Sequence, residues 1–313
     1  MTGPTFPSSL INEPGANSSA GVGPLGRLFG TWTSPRGDNC QGYNVMPLPQ
    51  KGEIINKNFL YYEELTFTSP GIAPNRGGAV QQDCAALTYE QRVYFGQGPA
   101  ANQLVHFENG LLINTTFAEQ GNGAYGTAGA PGSQPTPPNY PFPIIKQVSV
   151  PHGNSILAVG SSESFKGKPS ISAPKPTLPP FGPSNIPNPT QALIDRNHNL
   201  EKEGARFGED GVMLQVSTRN SSDAGVKNIS FEQGHATVTG YEMTLWLVTV
   251  TLGRLSMPQL QYTQTIFMDL LLQGPGGPAT AVAHIDANSL MPRNSYIHSA
   301  DLAAKTYPVF LSS

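Results

Sequence analysis

The chain has 313 residues, a net charge of −3 at pH 7 and 12% charged side chains. A protein that binds nucleic acid electrostatically presents a basic face, so this balance argues against that class of partner. No apolar stretch is long enough for a transmembrane helix, which argues against a membrane partner. Residues 1–20 lack the basic and apolar regions of a signal peptide. We expect a flexible segment over 1–20 and a cytoplasmic protein.

The first element in the chain is Gly30-Thr31-Trp32, which follows the apolar residues Leu25 and Leu28. A Gly-x-Trp ahead of many strand-like segments is typical of a closed β-barrel, in which the Trp plugs one end. Further along, residues 87–95 mostly alternate between apolar and polar side chains, as a half-buried strand does. One face carries Leu87, Tyr89, Val93 and Phe95, and the other carries Thr88, Glu90 and Arg92.

Other segments have the alternation and the composition of strands. They are 61–68, 103–113, 147–150, 155–161, 212–218, 228–232, 235–252, 260–272 and 281–287. A set of about ten strands in meander order predicts an all-β protein with a calycin-like up-and-down barrel. Gly240 is the expected bend in the strand 235–252.

Two Gly- and Pro-rich segments, 118–143 and 166–189, interrupt the strands and are predicted to be surface loops. A helix is predicted over 190–203, with Gly204 ending it. This helix either covers the mouth of the barrel or packs on its outer wall. We therefore predict one barrel domain over 21–313, with loop insertions near 118–143 and 166–205.

Cys40 and Cys84 are the two cysteines of the chain. A disulfide between them is compatible with the sequence, but two buried thiols are the preferred interpretation, and no spacing indicates zinc. Hydrolase, nucleotide-binding and zinc-protease motifs are absent from the sequence. A bound ligand is therefore expected to perform any difficult chemistry.

The six histidines differ in their sequence context. His198, His235 and His298 are predicted to be exposed. His106 alternates with Glu108 on a face that either points into a cavity or is an outward polar face, and the outward face is the simpler interpretation. His152 lies in a predicted turn at the barrel rim. His284 is a lone histidine in the apolar strand 281–285. Such a histidine is either a hydrogen-bonded core residue or the neutral imidazole that a heme iron requires.

The segment Leu25-x-x-Leu28-x-Gly30-Thr31-Trp32, followed by residues 62–67, resembles the opening of nitrobindins and related heme-binding barrels. Ala283-His284-Ile285-Asp286-Ala287 is similar to the setting of their proximal histidine. Residues 150–158, 214–218, 260–265 and 284–290 resemble a longer bacterial and fungal group of heme-binding proteins.

This resemblance implies a heme b whose iron is bound by His284. It further implies binding or conversion of NO, nitrogen oxides or peroxide, as in a peroxidase or a peroxynitrite isomerase. Four aromatic residues are expected to line the heme pocket: Phe67, Phe107, Trp246 and Tyr262. His152 with Arg92 is the candidate distal acid–base pair.

Two other interpretations stay open. One is a heme-free calycin-like barrel that binds or transforms an apolar small molecule, with Glu63, Glu90, Glu108 or Tyr262 as acid–base groups. The other is a structural barrel filled by its own side chains, without a ligand. In the heme interpretation and in the heme-free ligand interpretation, the partner is a small molecule. Exposed apolar strands would favour a homodimer.

Overall fold

A computed structural model describes residues 22–50, 52–74, 83–115, 141–172, 186–273 and 275–293. The predicted flexible segment 1–20, His298 and most of the predicted loop 118–143 lie outside these residues. Cys40 is buried. The side chain of Cys84 lies outside the described part, so the state of the two cysteines stays a prediction.

Thirteen strands are present in the described ranges, and they belong to one antiparallel sheet. They are β1 (Gly30–Thr33), β2 (Gly42–Gln50), β3 (Glu53–Pro74), β4 (Asp83–Phe95), β5 (Leu104–Asn114), β6 (Ile144–Val150), β7 (Asn154–Phe165), β8 (Arg206–Phe207), β9 (Gly211–Ser217), β10 (Gly225–Asn228), β11 (Ala236–Leu252), β12 (Leu255–Leu271) and β13 (Ala279–Pro292).

The sheet closes into a ten-stranded barrel, which confirms the predicted fold class. Closure occurs between β3 and β13, where β1 and β2 follow one another along the same seam and each pairs with both neighbours. The short strands β8 and β10 attach to β11 and β7 outside this cycle.

Helix α1 (Pro189–Lys202) packs on the outer wall of the barrel. Of the two positions predicted for this helix, the barrel mouth and the outer wall, the second is correct. Its first turn is capped by Asn188, whose side chain accepts a hydrogen bond of 2.9 Å from the Thr190 amide. Leu193 packs against Trp246 and Ala287 in a cluster separate from the barrel core. A second, one-turn helix, α2 (Ser230–Gln233), follows β10.

Trp32 closes one end of the barrel, as its sequence context predicts. Its side chain is buried and its indole Nε1 donates a hydrogen bond of 2.7 Å to the Leu28 carbonyl oxygen. Around it is an apolar floor, which includes Leu25, Leu28, Leu65, Leu112, Leu260 and Leu290.

Three features of the strands can be compared with the sequence-based assignment. The predicted bend at Gly240 is confirmed as a register shift between Val238 and Gly240. The predicted strand 228–232 is wrong, because β10 ends at Asn228 and residues 230–233 form α2. Strand β2 was not predicted, because it contains Pro47 and Pro49. Beyond Val45, β2 no longer pairs with β13. The two prolines have no amide hydrogen, but no hydrogen bond to β13 is required of them at these positions.

Candidate functional site

The inward residues of β13 show how the barrel interior changes from the floor upward. Alternate side chains of a strand point to the same face, so one face of β13 carries Leu290, Asn288, Asp286 and His284 in turn. Leu290 belongs to the apolar floor, and the next three residues are polar.

Other barrel strands contribute polar side chains next to Asn288 and Asp286, and together they form what we call the polar layer. All of its side chains are buried. The polar layer consists of Tyr61, Glu63, Tyr89, Gln91, Glu108, Lys146, Tyr241, Tyr262, Gln264, Asp286 and Asn288.

Glu63 is fully buried and has neutral hydrogen-bond donors around it in the described structure. Asn288 Nδ2 donates to Glu63 Oε1 over 2.9 Å, and Gln91 Nε2 donates to Glu63 Oε2. Burial raises the pKa of Glu63, while hydrogen bonds from Gln91, Tyr262 and Asn288 partly oppose this. Glu63 is therefore a carboxyl group that is harder to ionise than an exposed one.

Glu108 is in the opposite situation, because it forms an ion pair inside the barrel. Lys146 Nζ lies 3.2 Å from Glu108 Oε1, Tyr89 Oη donates to the same oxygen over 2.9 Å, and His106 Nε2 lies 3.3 Å from Oε2. Burial opposes ionisation of Glu108, but Lys146, His106 and Tyr89 together outweigh it and lower its pKa to about 2. Glu108 is thus ionised at neutral pH.

A chain of contacts joins Lys146 to Asp286. Lys146 Nζ donates to Tyr241 Oη over 2.6 Å, and Tyr241 Oη donates to Gln264 Oε1 over 2.8 Å. Gln264 Nε2 then lies 3.4 Å from Asp286 Oδ2. Burial, with the charges of Glu63 and Glu108, raises the pKa of Asp286 well above its usual range. Two acids that share one interior thus have pKa values shifted in opposite directions, a property typical of functional sites.

Asn44, His284 and Asp286 form the part of this interior that we call the His284 corner. Asn44 on β2 is the cross-strand partner of Asp286, and its Nδ2 contacts His284 Nε2. His284 Nε2 lies 3.8 Å from Asp286 Oδ2. The Asn44 Oδ1 atom is buried and has no hydrogen-bond partner in the described structure. Burial, followed by the charge of His106, lowers the pKa of His284 to about 4, so its imidazole is neutral at pH 7.

Solvent reaches the polar layer from the end opposite Trp32. The side chains of His284 and His106 are 20% and 25% exposed. The ring centroids of His106 and His152 are 6.0 Å apart, and His152 lies exposed in the turn between β6 and β7. Burial and the neighbouring His106 lower the pKa of His152. These three histidines mark the mouth of the barrel.

The structure places the four predicted pocket aromatics on two different faces. Phe67 and Tyr262 are buried in the barrel core. Trp246 lies on the outer wall beneath α1, and Phe107 pairs with Arg92 on the outer face. Arg92 forms an exposed ion pair of 2.7 Å with Glu90, so the structure does not bring it together with His152.

The assignment of His106 and Glu108 to an outward face is wrong. His106 pairs with Val93 and Glu108 with Gln91, so both occupy the inward face that β4 lines with Tyr89 and Val93. Lys146, Asn44 and Gln264 were not identified from the sequence. The sequence does contain an indication that Lys146 is buried, because Lys146 shares its strand face with the apolar residues Ile144 and Val148.

When a histidine binds a heme iron, the lone pair of one ring nitrogen must point toward the metal. His284 has a neutral imidazole on the inner face of the barrel, and part of it is exposed. Its Nε2 atom is in contact with the Asn44 amide, so this nitrogen could bind an iron only if the amide turned away. Among the residues that the structure describes, no group of three His, Cys, Asp or Glu side chains is placed to hold a metal ion by itself.

The fold and the site define a closed antiparallel β-barrel with an ionisable polar interior. No protein-family model matches the sequence, and no curated protein matches it. The crystal structure of Rv2717c from M. tuberculosis is a solved structure to which the chain is similar. The alignment covers 87% of this chain and 98% of that one, at 15% sequence identity and a TM-score of 0.35. Within the described ranges, no helix has the length and hydropathy needed to cross a membrane.

Proposed function

We propose that this protein binds a small molecule inside the barrel, at the His284 corner. The observation that carries the proposal is the unpartnered Oδ1 atom of Asn44, which is buried next to a partly exposed histidine. Buried polar atoms in folded proteins almost always have hydrogen-bond partners. A ligand that donates a hydrogen bond to Asn44 would satisfy this atom.

Heme b is the ligand that we propose first, with His284 as the axial ligand of its iron. The inward position of His284 and its neutral imidazole support this role. When bound, heme would supply the chemistry of NO binding or peroxide conversion. Asn44 and Asp286 both lie against Nε2, the nitrogen that would bind the iron, so heme binding would replace these contacts.

Hemin titration followed by absorption spectroscopy tests the heme proposal. We expect a Soret band with the wild-type protein and its loss, or at least tenfold weaker binding, in His284→Ala. Asn44→Ala is expected to bind hemin more tightly, because it frees the Nε2 atom of His284. His198→Ala serves as the matched control, since His198 is exposed on α1.

Two results would exclude His284 as the heme ligand. One is the absence of a Soret band in a wild-type protein whose circular dichroism shows an intact barrel. The other is hemin binding of equal strength in the wild-type protein and His284→Ala.

A heme-free ligand is the second candidate, and the chemistry of the polar layer favours it. The interior next to His284 contains carboxyl, amide, hydroxyl and ammonium groups that are already hydrogen-bonded to one another. Ligand sites use a few such groups to fix the orientation of a bound molecule. On this interpretation the ligand carries polar groups, in contrast to the apolar ligand expected from the sequence.

A further inference from the structure

The interior of the barrel contains more buried acids than buried bases. Among the described side chains of the polar layer, Glu63, Glu108 and Asp286 are acidic and Lys146 is cationic. Lys146 lies 3.2 Å from Glu108, and these two charges compensate each other. Two acids of the polar layer are therefore left without a cationic partner there.

The hydrogen-bond partners of these two acids are neutral in the described structure. Glu63 accepts from the amides of Gln91 and Asn288. Asp286 lies 3.4 Å from the Gln264 amide nitrogen and 3.8 Å from His284 Nε2. A buried carboxylate without a cation nearby is strongly unfavourable, so a bound cation would stabilise either acid in its ionised form.

The two acids differ in how easily a ligand can reach them. Glu63 is completely buried and lies between its amide donors. Asp286 belongs to the His284 corner, where the imidazole is 20% exposed and Asn44 Oδ1 lacks a partner. The Asp286 side chain is 9% exposed, so of the two acids it is the one closer to solvent.

We propose that the ligand of the His284 corner is an organic amine, whose ammonium group is held by the Asp286 carboxylate and the Asn44 amide oxygen. This inference rests on the heme-free form of the proposed function, in which a polar small molecule occupies the corner, and it specifies the chemical class of that molecule. A primary ammonium has three hydrogen-bond donors and no acceptor, which suits a site made of acceptor atoms. Its positive charge would also stabilise the ionised form of the Asp286 carboxyl group.

The same charge balance determines which molecules the corner rejects. A carboxylate ligand would place a negative charge next to the buried Asp286 carboxyl group and has no hydrogen to donate to Asn44 Oδ1, so it is expected to bind poorly. A neutral alcohol of the same shape retains the hydrogen bond to Asn44 but lacks the attraction between opposite charges. Comparison of an amine with its alcohol therefore isolates the proposed interaction.

Isothermal titration calorimetry with the full-length protein at pH 7 tests this proposal. The probes are benzylamine, benzyl alcohol and benzoate, with butylamine and 1-butanol as a second pair that lacks the ring. In at least one pair, we expect the amine to bind at least tenfold more tightly than its alcohol. Benzoate is expected to bind more weakly than benzyl alcohol.

Variants assign the effect to the His284 corner. Asp286→Asn should weaken binding of the amine at least tenfold and change binding of the alcohol less than twofold. Asn44→Leu should also weaken amine binding, and it provides an independent test if Asp286→Asn fails to fold. Glu90→Gln is the control, because Glu90 lies on the outer face in an ion pair with Arg92.

Equal binding of amine and alcohol in both pairs would overturn the proposal and leave the small-molecule function in place. Amine binding that is unchanged in both Asp286→Asn and Asn44→Leu would also overturn it. If no amine binds, the proposal is overturned as well, and the hemin titration then decides independently whether the barrel has a ligand.

Discussion

Replacement of Lys146 by Met is expected to lower the free energy of unfolding by about 3–5 kcal/mol at pH 7. The side chains of Lys146 and Glu108 are 5% and 3% exposed, so the ion pair is almost completely shielded from water. Loss of the cation leaves the Glu108 carboxylate buried without compensation. It also removes the hydrogen bond from Lys146 to Tyr241 Oη.

Urea unfolding followed by circular dichroism measures this change. The double variant Lys146→Met/Glu108→Gln should recover much of the lost stability, because it removes the buried charge together with its partner. Lys227→Met is the control, since Lys227 is exposed on β10. A loss below about 1 kcal/mol in Lys146→Met would show that the pair does not contribute as we expect.

The stability of the wild-type protein should fall in acid through the same pair. The pKa of Glu108 is lowered from 4.5 to about 2 in the folded protein, so the unfolded chain binds its proton more readily. The contribution of Glu108 is complete above pH 4.5 and is lost as the pH falls toward 2. Unfolding measured between pH 5 and pH 2 should therefore depend less on pH in Glu108→Gln than in the wild-type protein. Equal slopes in the two proteins would contradict this assignment.

Replacement of Trp32 by Ala is expected to cost about 3–5 kcal/mol of unfolding free energy. The indole is 2% exposed, and its removal leaves a cavity in the apolar floor against Leu65. The Leu28 carbonyl oxygen also loses the donor that holds the preceding turn against the barrel.

Chemical denaturation of Trp32→Ala and Trp32→Phe separates these two contributions. Phe retains most of the ring volume but cannot donate to Leu28, so its loss of stability should be clearly smaller than that of Ala. Equal losses in the two variants would show that the hydrogen bond, and not the filled volume, is the main contribution of Trp32.

The sequence predicted the barrel where one strand face was clearly apolar. Along β4, Leu87, Tyr89 and Val93 identify the inner face without ambiguity, and the structure confirms it. The same reasoning failed for His106 and Glu108. Alternation separates the two faces of a strand but does not say which face points inward. In β5 the inner face is polar because Glu108 pairs there with Lys146, so polarity does not identify the outer face.

The site was less accessible to sequence reasoning than the fold. His284 and Asp286 lie on one face of β13 because they are two residues apart, a relation that is visible within the strand itself. Asn44 is 240 residues from His284, and Lys146 is 38 residues from Glu108. Contacts over such separations depend on strand order and register, which the pattern within one strand does not contain.

The seam at β1 and β2 also bears on how this protein reaches its native state. Trp32 pairs with Pro292, and Tyr43 pairs with Ala287, so strands near one end of the described chain complete the barrel with the last strand. During synthesis on a ribosome, β1 and β2 must wait until β13 has emerged before the seam can form. Pairing over such long distances is slow to form. Until then the edges of β1 and β2 that face β13 are open to other chains, so the newly made protein is prone to aggregate before the barrel closes.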